Sequence, residues 1–183
     1  MEIHSVKSQR VDFFYDRYKN DRLLHVGCVG THIVNQKGLN LHETLLSKGM
    51  DVDGYDIDKD GVRELSKKYP EHSFVSDLNE LEFVEYDTVI VPEVLEHTNN
   101  PDEFLMNIFS INASSYFISV PNVFGHIRNV SYNDVYTQEI VHPDHYCWYS
   151  PYTLFNITRK YHTEYMNMFY LQGRKQVAIE INL

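Results

Sequence analysis

Leu23-Leu24-His25-Val26-Gly27-Cys28-Val29-Gly30 is an apolar run that leads straight into a turn containing two glycines. A second run, Val52-Asp53-Gly54-Tyr55-Asp56, ends in an acidic residue. In a strand-to-helix crossover, glycines let the backbone approach a ligand closely, and an acid that ends the next strand can accept hydrogen bonds from both hydroxyls of a ribose. The order of these two features indicates a site for a cofactor that contains adenosine.

The composition is that of a globular protein of moderate size. With 183 residues, of which 43% are hydrophobic, the chain is long enough to bury a sizeable core, and we expect residues 1–183 to form one domain. The N-terminus lacks the pattern of a secretion signal, and no apolar run approaches the ~18 residues of a membrane span. Cys28 and Cys147 are the only cysteines, which fits a reducing compartment, so we expect a cytoplasmic protein.

The charge of the chain bears on its partners. The formal net charge is -10 at pH 7. A protein that wraps a nucleic-acid backbone needs a surface rich in Lys and Arg, so the balance of charge argues against a nucleic-acid partner. A small-molecule substrate is the better expectation.

Apolar runs of strand type alternate with amphipathic segments along the chain. We predict helices over residues 6–20, 40–48, 60–69 and 151–161, and another that begins at Pro101 behind the capping residue Asn100. The predicted strands are residues 23–26, 52–57, 72–75, 87–91 and 116–120, followed by a hairpin of residues 165–171 and 176–183. This alternation predicts an α/β fold, with a seven-stranded, mostly parallel Rossmann-like sheet, a C-terminal antiparallel hairpin and helices on both faces.

One longer segment carries a family resemblance. Tyr86-Asp87-Thr88-Val89-Ile90-Val91-Pro92-Glu93-Val94-Leu95-Glu96-His97, with Pro121-Asn122 after the next strand, resembles the class I S-adenosylmethionine-dependent methyltransferases. The likeness is greatest to their small-molecule branch, which includes the ubiquinone-biosynthesis O-methyltransferases. It extends over roughly residues 23–161. It implies S-adenosylmethionine as the cofactor and methyl transfer to an oxygen or nitrogen of a small-molecule acceptor.

The resemblance also implies roles for individual residues. Gly27 and Gly30 would lie under the methionine part of the cofactor, and Asp56 would bind the ribose hydroxyls. Asp77 and the backbone of Leu78 would face the adenine, while Glu93 would lie beside the methionine end. The turn departs from the family's acid-x-Gly-x-Gly-x-Gly pattern, because His25 replaces the acid and Val29 and Thr31 replace glycines. The structural alternative for these residues is a tight turn with solvated acids at strand ends.

Histidines supply the candidates for acid-base chemistry. Residues 122–150 form a long connection of the kind that often closes a binding site, and it contains His142-Pro143-Asp144-His145-Tyr146-Cys147-Trp148. We expect His142 or His145 to face the substrate, and His97, His126, His142 and His145 are candidates for the base that removes a proton from an acceptor hydroxyl. Two alternatives to this interpretation stay open for the histidines: a metal site built from His142, His145 and Cys147, and a purely structural role.

Two other functions are compatible with the same pattern. A methyltransferase-like module that binds the cofactor without turnover is one, and the altered glycine turn makes it plausible. A nicotinamide-dependent oxidoreductase is the other, but residues 27–32 do not supply the G-x-G-x-x-G motif of that class.

Overall fold

The computed structural model describes residues 2–30, 40–125, 143–162 and 165–183. The strands are β1 (Ile3–Ser5), β2 (Leu23–Val26), β3 (Val52–Tyr55), β4 (Phe74–Val75), β5 (Tyr86–Pro92), β6 (Ala113–Pro121), β7 (Met166–Leu171) and β8 (Gln176–Asn182). The helices in these ranges are α1 (Arg10–Tyr18), α2 (Leu41–Ser47), α3 (Lys59–Lys68), α4 (Pro101–Phe109) and α5 (Pro151–Thr158). Short 3-10 turns cover Leu78–Leu81, Leu95–His97 and Gln172–Arg174.

The strands of the described residues form one sheet in the order β1-β7-β8-β6-β5-β2-β3-β4. β8 runs antiparallel to both β6 and β7, and the other neighbouring pairs are parallel. The predicted α/β class, the mostly parallel sheet and the C-terminal antiparallel hairpin are therefore confirmed. This sheet has eight strands, so the prediction of seven was wrong.

The strand that the sequence prediction missed is β1, at the edge of the sheet. It has three residues and pairs in parallel with β7, with Ile3 opposite Met168. His4 and Ser5 are exposed, so the segment has no run of buried apolar residues to signal a strand. The same segment explains why α1 begins at Arg10 and not at the predicted Val6.

Helices cover both faces of the sheet, as predicted, because the inward-facing residues alternate along each strand. On one face, α1 and α2 pack Phe14 and Leu45 against Leu23 and Phe117. On the other face, α4 and α5 contribute Leu105 and Leu154 to a larger cluster. The strand residues of that cluster include Leu24, Val89, Val91, Tyr116, Ile118 and Ile179.

A buried carboxylate fastens α1 to the C-terminal hairpin. Glu180 on β8 is 2% exposed and accepts hydrogen bonds from Arg17 Nε at 2.6 Å, from Arg17 Nη2, from the Tyr18 hydroxyl at 2.7 Å and from Asn167 Nδ2 at 3.1 Å. Burial alone would raise the pKa of Glu180, but the hydrogen bonds and charge of Arg17 and the Tyr18 hydroxyl lower it below its usual range. This network fixes the helix whose first residue, Arg10, reaches the site described below.

No helix within the described ranges has both the length and the apolar character that crossing a lipid bilayer requires.

Candidate active site at the carboxyl edge of the sheet

The candidate site lies where β2, β3, β5 and β6 end. These strands are parallel, so their carboxyl ends meet at one edge of the sheet. They are followed there by the glycine turn, Asp56, Glu93 and Asn122, respectively. Open α/β sheets bind ligands at this edge.

The glycine turn needs its glycines for conformation and for space. Gly27 has φ 82° and Gly30 has φ 70°, in the left-handed region that side chains disfavour. A Cβ on Gly27 would stand 2.6 Å from Cγ2 of Val94, so the backbone there lies against the segment that follows β5. The Gly27 N–H donates to the Tyr55 carbonyl at 2.8 Å, which ties the turn to the end of β3.

Asp56 holds this turn in place. Its Oδ2 accepts a hydrogen bond from the Val29 N–H at 2.9 Å, and its Oδ1 accepts one from the Asp58 N–H at 3.0 Å. Each carboxylate oxygen has two lone pairs, so both oxygens keep acceptor capacity for a ligand. The structure thus gives Asp56 a local role that the sequence did not predict.

The two described departures from the family's turn pattern each have a matching partner elsewhere in the chain. Val29, where a glycine is expected, fits because α3 carries Gly61 at the contact: a Cβ there would lie 2.3 Å from Val29 Cγ1. His25, where an acid is expected, pairs with His42 on α2, their Nδ1 atoms being 3.2 Å apart. The fold therefore accommodates both departures with a residue that matches each of them.

The paired histidines are neutral. His25 is 3% exposed and His42 is fully buried, and their rings stack with centroids 5.3 Å apart. Burial is the main cause that lowers both pKa values, that of His25 well below its usual range and that of His42 to about 4. The charge of His42 lowers the pKa of His25 further. The charge of His72 lowers the pKa of His42 further, and the charge of Asp53 opposes this shift.

A cavity of about 330 Å³ opens beside the turn. The residues of its lining that bear on function are Arg10, His25, Gly27, Gly30, Glu93 and His97. Three of the predicted cofactor residues, Gly27, Gly30 and Glu93, therefore share one cavity with the predicted base His97.

Glu93 is fixed in its position at the end of β5. Its φ is 59°, its N–H donates to the Ser119 carbonyl at 2.9 Å, and its Oε1 accepts from the Ser119 hydroxyl at 2.9 Å. Burial raises the pKa of Glu93, and the charge of Arg10 opposes the shift. The side chain is thus an anchored hydrogen-bond acceptor in the wall of the cavity.

The residues predicted to face the adenine lie in another cavity. Asp77, Leu78 and Tyr55 line a space of about 600 Å³. Asp77 caps the 3-10 turn Leu78–Leu81, because its Oδ1 accepts from the Asn79 N–H at 3.0 Å and from Asn79 Nδ2 at 2.8 Å. The structure does not bring Asp77 and Leu78 into the cavity that holds Gly27, Gly30 and Glu93.

A second cluster, Glu96, His97 and His145, lies at the same edge. One ligand atom of each residue falls within 4.8 Å of the others. Glu96 is 1% exposed, and its Oε2 has no hydrogen-bond partner among the described residues. Burial, with Glu93 nearby, raises the pKa of Glu96 to about 9. A carboxylate and two imidazoles at this spacing form a set that could hold a divalent cation.

A hydrogen bond orients the ring of His97. Its Nδ1 lies 3.0 Å from the Asp144 carbonyl, which can only accept, so Nδ1 carries a proton. Its Nε2 lies 3.9 Å from Oε1 of Glu96. An imidazole at this place has the chemistry of a base or of a metal ligand.

Hydrogen bonds and a ring contact hold the segment after residue 142 against this cluster. The Tyr146 and Cys147 N–H groups donate to the Glu96 carbonyl at 2.8 and 3.3 Å, and His145 packs edge-on against His97 with ring centroids 4.7 Å apart. His145 therefore lies against His97; that His142 or His145 faces the substrate stays a prediction. His126 and His142 lie outside the described residues.

The predicted alternative of a metal site combined His145 and Cys147 with His142, which lies outside the described residues. Cys147 directs its Sγ to the Thr98 carbonyl at 3.9 Å, whereas Glu96 joins His145 in the cluster. Sequence reasoning missed Glu96 as a ligand because it considered only residues close together in one loop. The adjacent pair Glu96-His97 just after a strand was the available signal.

Neither protein-family models nor curated proteins match this chain. Solved structures do match it. One is in the Pnkp1/Rnl/Hen1 RNA repair complex, with 18% identity and a TM-score of 0.66; the match covers 95% of this chain and 41% of that one, so this chain spans less than half of that neighbour's length. Another is a SAM-dependent methyltransferase from Archaeoglobus fulgidus, with 18% identity, a TM-score of 0.65 and coverage of 95% and 91%.

A third similar structure contains ligands. It is the 1,6-didemethyltoxoflavin-N1-methyltransferase of Burkholderia thailandensis with bound 1,6-didemethyltoxoflavin and S-adenosylhomocysteine, with 13% identity, a TM-score of 0.61 and coverage of 94% and 75%. At these identities the likeness establishes the fold. The chain has the fold of class I S-adenosylmethionine-dependent methyltransferases.

Proposed function

We propose that this chain transfers a methyl group from S-adenosylmethionine to an oxygen or nitrogen of a small molecule. The observation that carries the proposal is the cavity of about 330 Å³ in which the glycine turn, Glu93 and His97 meet. It lies at the carboxyl edge of a sheet whose fold is that of methyltransferases. Its size suits the methionine end of the cofactor together with the reacting group of an acceptor.

Each predicted cofactor residue has a role in this proposal. Gly27 and Gly30 let the methionine part lie against the backbone, and Glu93 accepts a hydrogen bond from its ammonium group. Asp56 binds the ribose hydroxyls with the lone pairs that the turn leaves unused. Asp77 and the backbone of Leu78 bind the adenine in the cavity of about 600 Å³. The cofactor would then extend from the smaller cavity into this larger one.

The reaction is an in-line displacement, so the protein mainly aligns the reactants and excludes water. An acceptor oxygen attacks the methyl carbon as the carbon–sulfur bond breaks, which leaves S-adenosylhomocysteine as a neutral thioether. The hydroxyl proton passes to the imidazole of His97, whose ring is oriented by the contact of Nδ1 with the Asp144 carbonyl at 3.0 Å. His145, packed on His97, and His142 are the other candidates for this role.

A divalent cation is a specific alternative for activating the hydroxyl. Glu96, His97 and His145 would hold it, and the orphaned Oε2 of Glu96 in a buried site supports the fit. A bound cation would lower the pKa of a coordinated hydroxyl. His97 cannot then also act as the base, so a metal requirement and a metal-independent base are competing outcomes.

RNA is the second candidate acceptor, because one structural neighbour belongs to an RNA repair complex. The net charge of -10 favours the small molecule, since an RNA backbone calls for a basic surface. Transfer of labelled methyl from S-adenosylmethionine to pooled small hydroxy and amino compounds, or to RNA oligonucleotides, separates the two.

The transfer assay is run once with a chelator and once with added Mg²⁺ or Mn²⁺. It compares the wild type with His97→Gln. The control variant is His4→Gln, which replaces an exposed histidine on β1. We expect label in the small-molecule fraction and its loss in His97→Gln only. Label confined to RNA would contradict the proposed acceptor. Bound S-adenosylmethionine with no transfer to either class would favour the non-catalytic binding module.

A further inference from the structure

The hairpin turn between β7 and β8, residues 172–175, lies at the same edge of the sheet as the candidate site. Gln176, the first residue of β8, is opposite Pro121 at the end of β6 and lines the cavity of about 330 Å³. In the sheet order, β6 alone separates β8 from β5. At a spacing of about 4.8 Å between neighbouring strands, the start of β8 stands roughly 10 Å from Glu93 at the end of β5. A small molecule can span that distance.

The backbone of this hairpin turn is strained. Gln172, Gly173 and Arg174 have φ angles of 48°, 66° and 71°, so three successive residues occupy the left-handed region and two of them carry a side chain. Each such residue with a side chain costs free energy. Residues of this kind persist only where their surroundings hold them, and they cluster at ligand sites. The strain therefore marks the hairpin turn as a candidate for a binding role.

The segment that follows β6 holds the hairpin turn in this conformation. Asn122 is 3% exposed. Its Nδ2 donates to the Arg174 carbonyl at 2.9 Å, and its N–H donates to the Lys175 carbonyl at 2.8 Å. Gly125 packs so closely that a Cβ there would lie 2.3 Å from the carbonyl oxygen of Arg174. The hairpin turn thus presents its side chains from a backbone that is fixed against the end of β6.

Arg174 and Lys175 give the hairpin turn two adjacent positive charges. Both side chains are exposed, and the ion pairs within the described ranges include neither of them. The guanidinium carbon of Arg174 lies 5.5 Å from the centre of the Tyr170 ring, a contact that orients the cation and leaves its charge in place. A chain with a net charge of -10 therefore keeps two cations without a carboxylate partner, among its described residues, next to the site.

Resting on the proposed function, we propose that this hairpin turn binds an oxyanion of the methyl acceptor, a carboxylate or a phosphate. The donors of a guanidinium match the geometry of either group, and the neighbouring ammonium adds a second positive charge. The rest of the acceptor would extend from the hairpin turn to the cavity, where its hydroxyl or amino group meets the cofactor. The acceptor class is thereby narrowed from small hydroxy and amino compounds in general to anionic ones.

Matched pairs of acceptors test the inference. The hydroxy and amino compounds of the transfer assay are offered in pairs, each as a carboxylate or phosphate ester and as the corresponding neutral amide or alcohol. We expect the anionic member to be methylated preferentially. Arg174→Gln should lower kcat/KM for that member by about tenfold, because it removes charge-assisted hydrogen bonds. The dissociation constant of S-adenosylhomocysteine should stay within about twofold of the wild-type value.

The chain offers a matched control in Arg159→Gln. Arg159 is also exposed, precedes a lysine and lies over an aromatic ring, with its guanidinium carbon 5.7 Å from the centre of the Phe155 ring. Its neighbour Lys160 differs from Lys175 because it is paired with Asp102 at 2.8 Å. This control should change neither the transfer rate nor the affinity for S-adenosylhomocysteine.

Inorganic phosphate supplies a measurement that does not depend on turnover. Its addition should shift the backbone amide signals of residues 173–176 in ¹⁵N–¹H spectra of the wild type and of Arg159→Gln, and the shifts should be lost in Arg174→Gln. Phosphate that shifts no signal of the hairpin turn, or shifts that are equal in the wild type and in Arg174→Gln, would overturn the oxyanion site.

The outcomes of the transfer assay separate this inference from the proposed function. Equal labelling of both members of the pairs, or an unchanged kcat/KM in Arg174→Gln, overturns the oxyanion site and leaves the methyltransferase proposal standing. Label confined to RNA oligonucleotides contradicts an anionic small molecule as the acceptor. Absence of label from every compound and from RNA, with a folded wild type, overturns the proposed function and this inference together.

Discussion

Replacing His42 with Phe should reduce the amount by which the free energy of unfolding decreases at acid pH. The pKa of His42 falls from 6.5 to about 4 in the folded chain, so between these values the unfolded chain binds a proton that the folded chain does not. The free energy of unfolding must therefore fall as the pH drops from about 6.5 to about 4. At about 1.36 kcal/mol for each pH unit between these two pKa values, the loss amounts to roughly 3 kcal/mol. The pKa of His25 is lowered as well, so it contributes in the same direction.

Urea unfolding at pH 7.5, 6.5, 5.5 and 4.5, followed by the fluorescence of the single tryptophan, Trp148, measures this change. His42→Phe removes one of the two histidines and should lose less free energy of unfolding between pH 6.5 and 4.5 than the wild type, by on the order of 2 kcal/mol. At pH 7.5 the variant should be less stable, because His25 loses its hydrogen-bond partner. His4→Phe, on the exposed part of the edge strand, serves as the control and should follow the wild type. Parallel pH curves for His42→Phe and the wild type would refute the buried neutral pair.

Three further changes probe the site and its support. Asp56→Ala should weaken binding of S-adenosylhomocysteine about tenfold or more, since it removes charge-assisted bonds to the ribose and releases the glycine turn; an unchanged dissociation constant in calorimetry would leave Asp56 with its structural role alone. Gly27→Ala should abolish this binding and lower the midpoint of thermal unfolding more than the control Gly49→Ala does. Both glycines have a positive φ, but only a Cβ on Gly27 would meet a neighbour, Val94, at 2.6 Å. Equal effects of the two variants on the midpoint would show that this contact is unimportant. Glu180→Gln should destabilise the fold at pH 7 and reduce the loss of stability on acidification. The pKa of Glu180 is lowered in the folded chain, so its contribution to stability disappears as the pH falls through that pKa. Urea unfolding at pH 7 and pH 4 checks this, and a difference in stability between the two pH values that is the same in the variant and the wild type would count against the network.

The fold was largely predictable because its strongest signals are local. β2 begins and ends where the apolar run Leu23–Val26 does, and α4 begins at Pro101 behind Asn100, whose side chain accepts from the Glu103 N–H at 3.3 Å. β1 was not predictable in the same way. Its short, half-exposed backbone becomes a strand only because β7, more than 160 residues later, offers a free edge.

The site was less predictable because it depends on contacts between distant segments. The glycines of the turn could be proposed from their position after a strand, Glu93 from the family resemblance, and His97 as one of several candidate bases. The pairing of His25 with His42, and the approach of His145 to Glu96, arise when a crossover helix and a late loop fold back onto the sheet. No spacing in the sequence reveals those contacts. The pairing behind the unusual turn came from the structure, and for the cation cluster the sequence offered only the adjacent pair Glu96-His97.

Calorimetric titration of the folded protein with S-adenosylhomocysteine, beside a titration with NADH, tests the central claim most directly. The glycine turn, the acid after β3 and the cavity next to Glu93 predict saturable binding of S-adenosylhomocysteine at one site and no binding of NADH. Binding of NADH without binding of S-adenosylhomocysteine, or binding of neither, would contradict a methyltransferase cofactor site.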